Sequence, residues 1–315
     1  MSMTRSELQD AAAKAFDGDL TPDAAQSWTL ITDMGWLMMA VPEDQGGLGL
    51  GREAVGVIHQ ALGRTLVAGP TIAQMLVIEA LSAAGGQDEL LGRAMAGEVM
   101  TASLSEGLTA VPDADRASHL LLVEPERVAL LPMQGLGLKA RATWDKTRRL
   151  FDFDAGEKDG IVLAQGEAAV ALGNRLSALR SLALAADSLG GADAALRMTI
   201  DYLETRRQFD RPLALFQALK HRVADMKTAL VAAEALFWAR ADDPDADAIS
   251  MGAMKAHAAN VYRLIAEEAI QLHGGIGLTM EHPCHLFLKR ATLNAALGGD
   301  ADHWEEAAGR RLLAA

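Results

Sequence analysis

At 315 residues, half of them hydrophobic and 23% charged, the chain has the composition of a folded globular protein and the length for two or three domains. A formal charge of −13 argues against DNA or RNA as a partner, because sequence-blind binding to a phosphate backbone needs a basic face. Cys284 is the only cysteine, which rules out an internal disulfide or a thiolate zinc cluster and suits a reducing compartment.

The N-terminus, Met1 to Ser6, runs into a charged amphipathic stretch without a hydrophobic signal core, and no run of about 18 apolar residues follows. A cytoplasmic chain is expected, with no membrane insertion. Residues 1–97 have the texture of roughly four or five helices, punctuated by "VPEDQGGLGLG" at 41–51 and by Gly69-Pro70, with Thr21 and Asp23 placed as helix starts. From Glu98 to Ala171 the texture changes. "HLLLVEP" (119–125) and "RVALLPM" (127–133) are short apolar runs around Glu124, Pro125 and Glu126, as two strands joined by a tight turn require, and "GIVLA" (160–164) is a third.

After this β unit the helical period returns. Leu182, Ala185, Leu189, Ala192, Leu196, Thr199 and Leu203 form one apolar stripe; Leu219, Val223, Met226, Leu230, Ala233 and Phe237 form a second; Met254, Ala258, Val261, Ile265, Ala269 and Leu272 form a third. Stripes of this kind must bury one another, which predicts an antiparallel bundle broken at Pro212 and at "ADDPDAD" (241–247). The fold class is therefore α+β: a helical domain over 1–97, a small β domain over 98–171 and a helical bundle over 172–315. Strands and helices do not alternate. Gly274, Gly275 and Gly277 follow a helix instead of a strand, which removes the context of a Rossmann fingerprint.

Two stretches carry candidate chemistry. In "RRQFDRPLALFQALKHRVADM" (206–226), Arg206, Gln208, Phe209, Phe216 and Gln217 would suit a purine and a pyrophosphate, although corners between helices are also held by such residues. In "QLHGGIGLTMEHP" (271–283) the glycines bare the backbone for something flat or anionic. Beyond that loop, Leu286 to Gly299 contains no carboxylate, no histidine and no hydroxyl except Thr292. His282 and His285 have neither the spacing nor the carboxylates of a metal site, and His273 reads as a surface or interface residue. Neither HExxH nor G-x-S-x-G occurs. Glu106, Asp145, Asp187 and Glu204 are the acids that could act as bases, and each is more simply a solvated charge or a helix-end group.

These two stretches resemble the C-terminal signatures of the flavin-dependent acyl-CoA dehydrogenases, and "VPEDQGGLGL" resembles their N-terminal loop. The resemblance spans essentially the whole chain in the family's order, and implies an N-terminal all-α domain, a middle β domain and a C-terminal four-helix bundle. It also implies FAD held between subunits, with Arg206, Gln208, Phe209, Gln217, Gln271, Gly274 and Gly275 against its adenosine-diphosphate half. Family members take the α-proton of an acyl thioester with a glutamate, while the β-hydrogen leaves as hydride to the flavin.

Laid on this chain, the glutamate position falls on Gly298, followed by Gly299 and Asp300. The alternative position, just before an arginine of the first bundle helix, falls at Leu179, Arg180 and Ser181, again without an acid. The flavin-lining loop is reduced to "LSEGLTAVPD" (104–113), and "TWDKTRRL" (143–150) is similar to the short, divergent chains of split enzymes of bacterial steroid side-chain breakdown. The resemblance thus implies a non-catalytic, FAD-clamping subunit of a heteromeric α2β2 acyl-CoA dehydrogenase, with a steroid-CoA among its substrates. Two alternatives stand beside it: a self-sufficient homo-oligomer with Glu106 or Asp187 as a displaced base, and a flavin-free scaffold of the same fold.

Overall fold

Side chains expected to start helices do so in the computed structural model, which describes residues 4–16, 20–105, 107–154 and 159–314. Thr4 and Glu7 close a reciprocal capping box on α1 (Arg5–Ala15), and the Asp23 carboxylate accepts from the N–H groups of Ala25 and Gln26 at the start of α2 (Ala24–Asp33). Thr21, also expected at a helix start, instead turns the chain at φ 53 and donates its N–H to the Thr65 carbonyl. The helices α3 (Gly51–Arg64), α4 (Thr71–Ala84) and α5 (Asp88–Met95) complete the N-terminal region.

The middle region carries more strands than the apolar runs announce: β1 (Thr101–Ala102), β2 (Val111–Pro112), β3 (His119–Glu124), β4 (Arg127–Pro132), β5 (Gly137–Arg141), β6 (Leu150–Asp154) and β7 (Ile161–Gln165). The expected hairpin is β3–β4, antiparallel with Glu124 opposite Arg127. It is flanked by β1 and β7 in one sheet, while β2, β6 and β5 form a second. Val111, Leu120, Leu136 and Phe151 fill a small core of their own, and Leu121, Val128 and Leu130 join the main core.

The bundle starts with α6 (Glu167–Thr205), 39 residues long and buried along its middle. A two-residue hairpin, β8 (Arg207–Gln208) and β9 (Arg211–Pro212), leads into α7 (Gln217–Ala241). Then come α8 (Ala248–His273), a 3-10 turn over Gly274–Leu278, α9 (Cys284–Ala296) and α10 (Ala301–Ala314). Every residue of the first and third stripes is buried, as are Met226, Leu230, Ala233 and Phe237 of the second. α6 lies between α3 and α8, and glycines set the first of those contacts. A Cβ added at Gly190 would sit 2.0 Å from the Gln60 carbonyl oxygen, and one at Gly63 would sit 2.1 Å from that of Asp187.

One polar cluster ties the three regions together. Arg290, fully buried on α9, donates from Nε to the Asp145 carboxylate at 2.6 Å and from Nη1 to Asp187 on α6 at 3.1 Å. It also reaches Thr147 and the carbonyls of Leu66 and Val67. Arg148 pairs with Asp187 at 2.9 Å, and the Asn294 amide donates to Asp187 at 2.7 Å. Asp145 and Asp187, expected as solvated or helix-end charges, are 4% and 3% exposed. Burial alone would raise both carboxyls, but Arg290 and Arg148 outweigh it and hold them below the usual carboxylate range.

Candidate functional site

Because α7 runs against α6 and α8 runs against α7, the C-terminal ends of α6 and α8 meet at one end of the bundle, where the rings of Tyr202 and His273 stack at 4.5 Å. Arg206, Gln208, Phe209, Gln217, Gln271, Gly274 and Gly275 all belong to this end, and all are exposed. The hairpin tip is turned by Phe209 and Asp210, both at positive φ, which holds the Phe209 ring out in solvent, 85% exposed. Phe216 is engaged within the chain, under the Arg211 guanidinium at 4.0 Å and edge-on to Phe209. Gln217 opens α7, whose N-terminus has no side-chain cap and no acid in its first turn, so its dipole favours an anion there.

The two exposed glycines differ in what they need. Gly274 lies at φ 64, a conformation that favours glycine. Gly275 has no positive φ and a Cβ there would meet nothing within 4 Å, so neither backbone nor packing of this chain demands glycine at 275. Leu215, Ile276, Leu278 and Met280 are exposed at the same end. His273, expected at the surface, is 2% exposed: its Nδ1 bonds the Ala269 carbonyl at 2.7 Å and its ring packs on Tyr202.

A second feature is a cleft of about 510 Å3 between α6 and the β domain, whose polar lining includes Ser103, Ser105, Glu124, Asn174 and Arg180. The loop after β1 is closed on itself, since Ser103 Oγ lies 2.5 Å from the Thr109 carbonyl oxygen and accepts from the Ser105 N–H at 3.1 Å. Glu106 lies outside the described residues. Gly298, at φ 68, abuts the same wall: a Cβ there would come within 2.9 Å of Leu184 Cδ1 and 3.3 Å of Arg180 Nε. Positions 298 and 180, more than a hundred residues apart in the chain, are therefore neighbours in space. Behind Gly298, the buried Lys255 donates to the carbonyls of Ala295 and Gly299 at 3.1 and 2.7 Å; burial, then the nearby Arg180 charge, push its pKa down to about 7. Asp187 lines a small pocket of about 20 Å3 with His59 and Arg148.

Residues 170–313 match the family model described as "Acyl-CoA dehydrogenase, C-terminal domain", and residues 2–97 match "Acyl-CoA dehydrogenase, N-terminal domain". Over 271 residues the chain is 32% identical to acyl-CoA dehydrogenase IpdE2 of Mycobacterium tuberculosis, covering 86% of this chain and 81% of that one. The chain belongs to the acyl-CoA dehydrogenase family. Among solved structures, the ChsE4-ChsE5 complex from Mycobacterium tuberculosis superposes with a TM-score of 0.84 at 25% identity, covering 99% of each chain. A variant of the Tcur3481-Tcur3483 steroid ACAD superposes with a TM-score of 0.87 at 24% identity, covering 98% of this chain and 97% of that one.

Within this acyl-CoA dehydrogenase fold, sequence reading missed Arg290 and Lys255, and placed Glu124 only in a turn, not on the wall of a cleft. Arg290 carried little signal, since it stands beside Lys289 on α9 and the sequence does not say which of the two cations is buried. Among the described residues, no helix is long and apolar enough to cross a membrane.

Proposed function

We propose that this chain is the FAD-clamping, non-catalytic subunit of a heteromeric acyl-CoA dehydrogenase, an α2β2 assembly that desaturates an acyl-CoA thioester at the α,β bond, with steroid-CoA as the substrate class. The observation that carries the proposal is the meeting of Gly298 and Arg180: the two places where the resemblance would put a base fall on one spot, and neither holds an acid. The end of the bundle that would meet the cofactor, by contrast, retains its full set of candidates. Support for a partner and for the substrate class comes from the heteromeric and steroid-directed relatives named above.

The exposed groups fit the adenosine-diphosphate half of FAD. Arg206 and the uncapped start of α7 would face the pyrophosphate, and Phe209 would offer a ring face to the adenine. Gln208, Gln217 and Gln271 would supply amides, and Gly274 and Gly275 would let the cofactor lie against the backbone. FAD, when bound, supplies the acceptor for the hydride. The proton-abstracting base belongs to the partner subunit in this reading, and the exposed Leu215, Ile276, Leu278 and Met280 are the surface that subunit would cover.

The test is an absorbance spectrum of the chain purified alone and then co-purified with a co-expressed candidate catalytic acyl-CoA dehydrogenase subunit. A flavin band confined to the complex, at about half a flavin per chain by the logic of a shared two-fold interface, is expected. In that complex Arg206→Ala should weaken flavin binding roughly ten- to hundredfold, or about 1.5–3 kcal/mol for a lost charge-assisted contact. Full flavin content and activity in the variant would remove the clamp role. A lone chain that carries flavin and turns over an acyl-CoA would favour the self-sufficient enzyme, whose base would then be sought at Glu124 on the cleft wall; Asp187 is committed to its arginines.

A further inference from the structure

His273 closes α8, Cys284 opens α9, and the turn between them brings His282 back beside both. Their metal-ligating atoms all lie within 4.8 Å of one another, His273 and Cys284 are 2% and 0% exposed, and His282 is half-buried. The rings of His273 and His282 are 4.4 Å apart between centroids, and Cys284 Sγ lies 3.7 Å from the His273 ring at Nδ1.

One hydrogen bond fixes the tautomer of His273. A carbonyl oxygen can only accept, so the 2.7 Å contact to Ala269 puts the proton of His273 on Nδ1 and leaves a lone pair on Nε2. That Nε2 is buried and has no hydrogen-bond partner in the chain. A buried acceptor without a partner is destabilising, and a carbonyl holding one ring nitrogen is the usual support of a histidine that binds metal through the other. Nδ1 of His282 accepts a long hydrogen bond, 3.2 Å, from the Cys284 N–H, a lone pair that an ion would take over.

We infer that His273, His282 and Cys284 form a binding site for a borderline-soft divalent cation of the zinc class. Two imidazoles and one thiolate select such an ion over calcium or magnesium, which take oxygen. Bond lengths of about 2.0–2.3 Å place tetrahedral ligands roughly 3.5 Å apart, so the three ligand atoms, within 4.8 Å of one another, would draw in by roughly an ångström around an ion. Binding converts the Cys284 thiol to thiolate with release of its proton to solvent, and leaves a fourth position for water or a group from outside. The ion would clip together the two ends of the segment 274–283, next to Gln271, Gly274 and Gly275. The site stands on its own geometry and does not depend on flavin.

Cobalt(II) titrated into the full chain, in the assembly in which it purifies and after chelator treatment, tests the site. One equivalent should bind with a thiolate-to-metal charge-transfer absorption. That absorption should vanish in Cys284→Ser, and affinity should fall roughly tenfold or more in His282→Asn, whose half-buried position keeps folding out of the result. A charge-transfer band that survives Cys284→Ser, or binding as tight in His282→Asn as in the parent chain, would overturn the inference. So would an absence of stoichiometric binding by the parent chain.

Discussion

At the scale of single residues, Gly298 and His59 show how position governs chemistry. Adding a carboxylate where the resemblance expects one should not create an enzyme, because position 298 is left-handed and faces Leu184 and Arg180. Gly298→Glu should instead destabilise the chain by about 1–3 kcal/mol, the cost of holding an L side chain in that conformation, with no dehydrogenation by the isolated subunit. A urea midpoint and a dye-reduction assay read the two outcomes. His59 is 1% exposed, with Nδ1 on the Val55 carbonyl, and burial pushes its pKa down to about 4. Because the folded value lies below the unfolded one of about 6.5, the unfolded chain takes up the proton first. Stability should therefore decline as pH falls from about 6.5 to about 4, by up to about 3 kcal/mol from this group. The decline should be shallower in His59→Gln, and parallel stability profiles would count against the buried neutral ring.

At the scale of elements, the crossing of α3 and α6 depends on backbone contact at two glycines. Gly190→Ala places a methyl 2.0 Å from a carbonyl oxygen, and neither helix can yield without moving a core that includes Leu189, Ile58 and Leu62. A loss of about 1–3 kcal/mol is expected from overpacking, measured as a lower melting temperature, although alanine is the better helix former. The long bundle helices and the β3–β4 hairpin were legible because each has a period or an apolar run that local sequence alone displays. The strands β5 and β6 were not. Gly137–Arg141 is exposed throughout and offers only Leu138 and Ala140 as apolar residues, and the five-residue β6 finds its place by pairing with β5 and β2 across the sheet.

At the scale of the whole molecule, Arg290 is where the N-terminal, middle and bundle regions are joined. Its guanidinium reaches Leu66 and Val67 from the first, Asp145 and Thr147 from the second, and Asp187 from the third. Arg290→Met leaves buried Asp145 without its principal cation and should cost about 3–5 kcal/mol, read in urea unfolding followed by both tryptophan fluorescence and circular dichroism. The two aspartates are held below the usual carboxylate range, so their contribution is present above about pH 4 and is lost as pH falls through their folded values. The variant should lose the Asp145 share of that acid dependence, while Asp187 keeps Arg148 and Asn294.

By itself the sequence determined the order of helical, β and helical regions, the stripes that bury α6 and α8, and the loss of an acid from both expected base positions. The order and the stripes are properties of residue type and spacing, the two base positions are what the family resemblance implies, and all of them survive without coordinates. Only the tertiary structure decided that positions 298 and 180 share one wall, that Asp145 and Asp187 are buried partners of Arg290, and that His273, His282 and Cys284 converge. Each of these depends on segments far apart in the chain or on how a turn folds back. Solvation decides what such groups do: a carboxylate that would be an ordinary surface charge in water becomes, once buried, a group that must keep its cation.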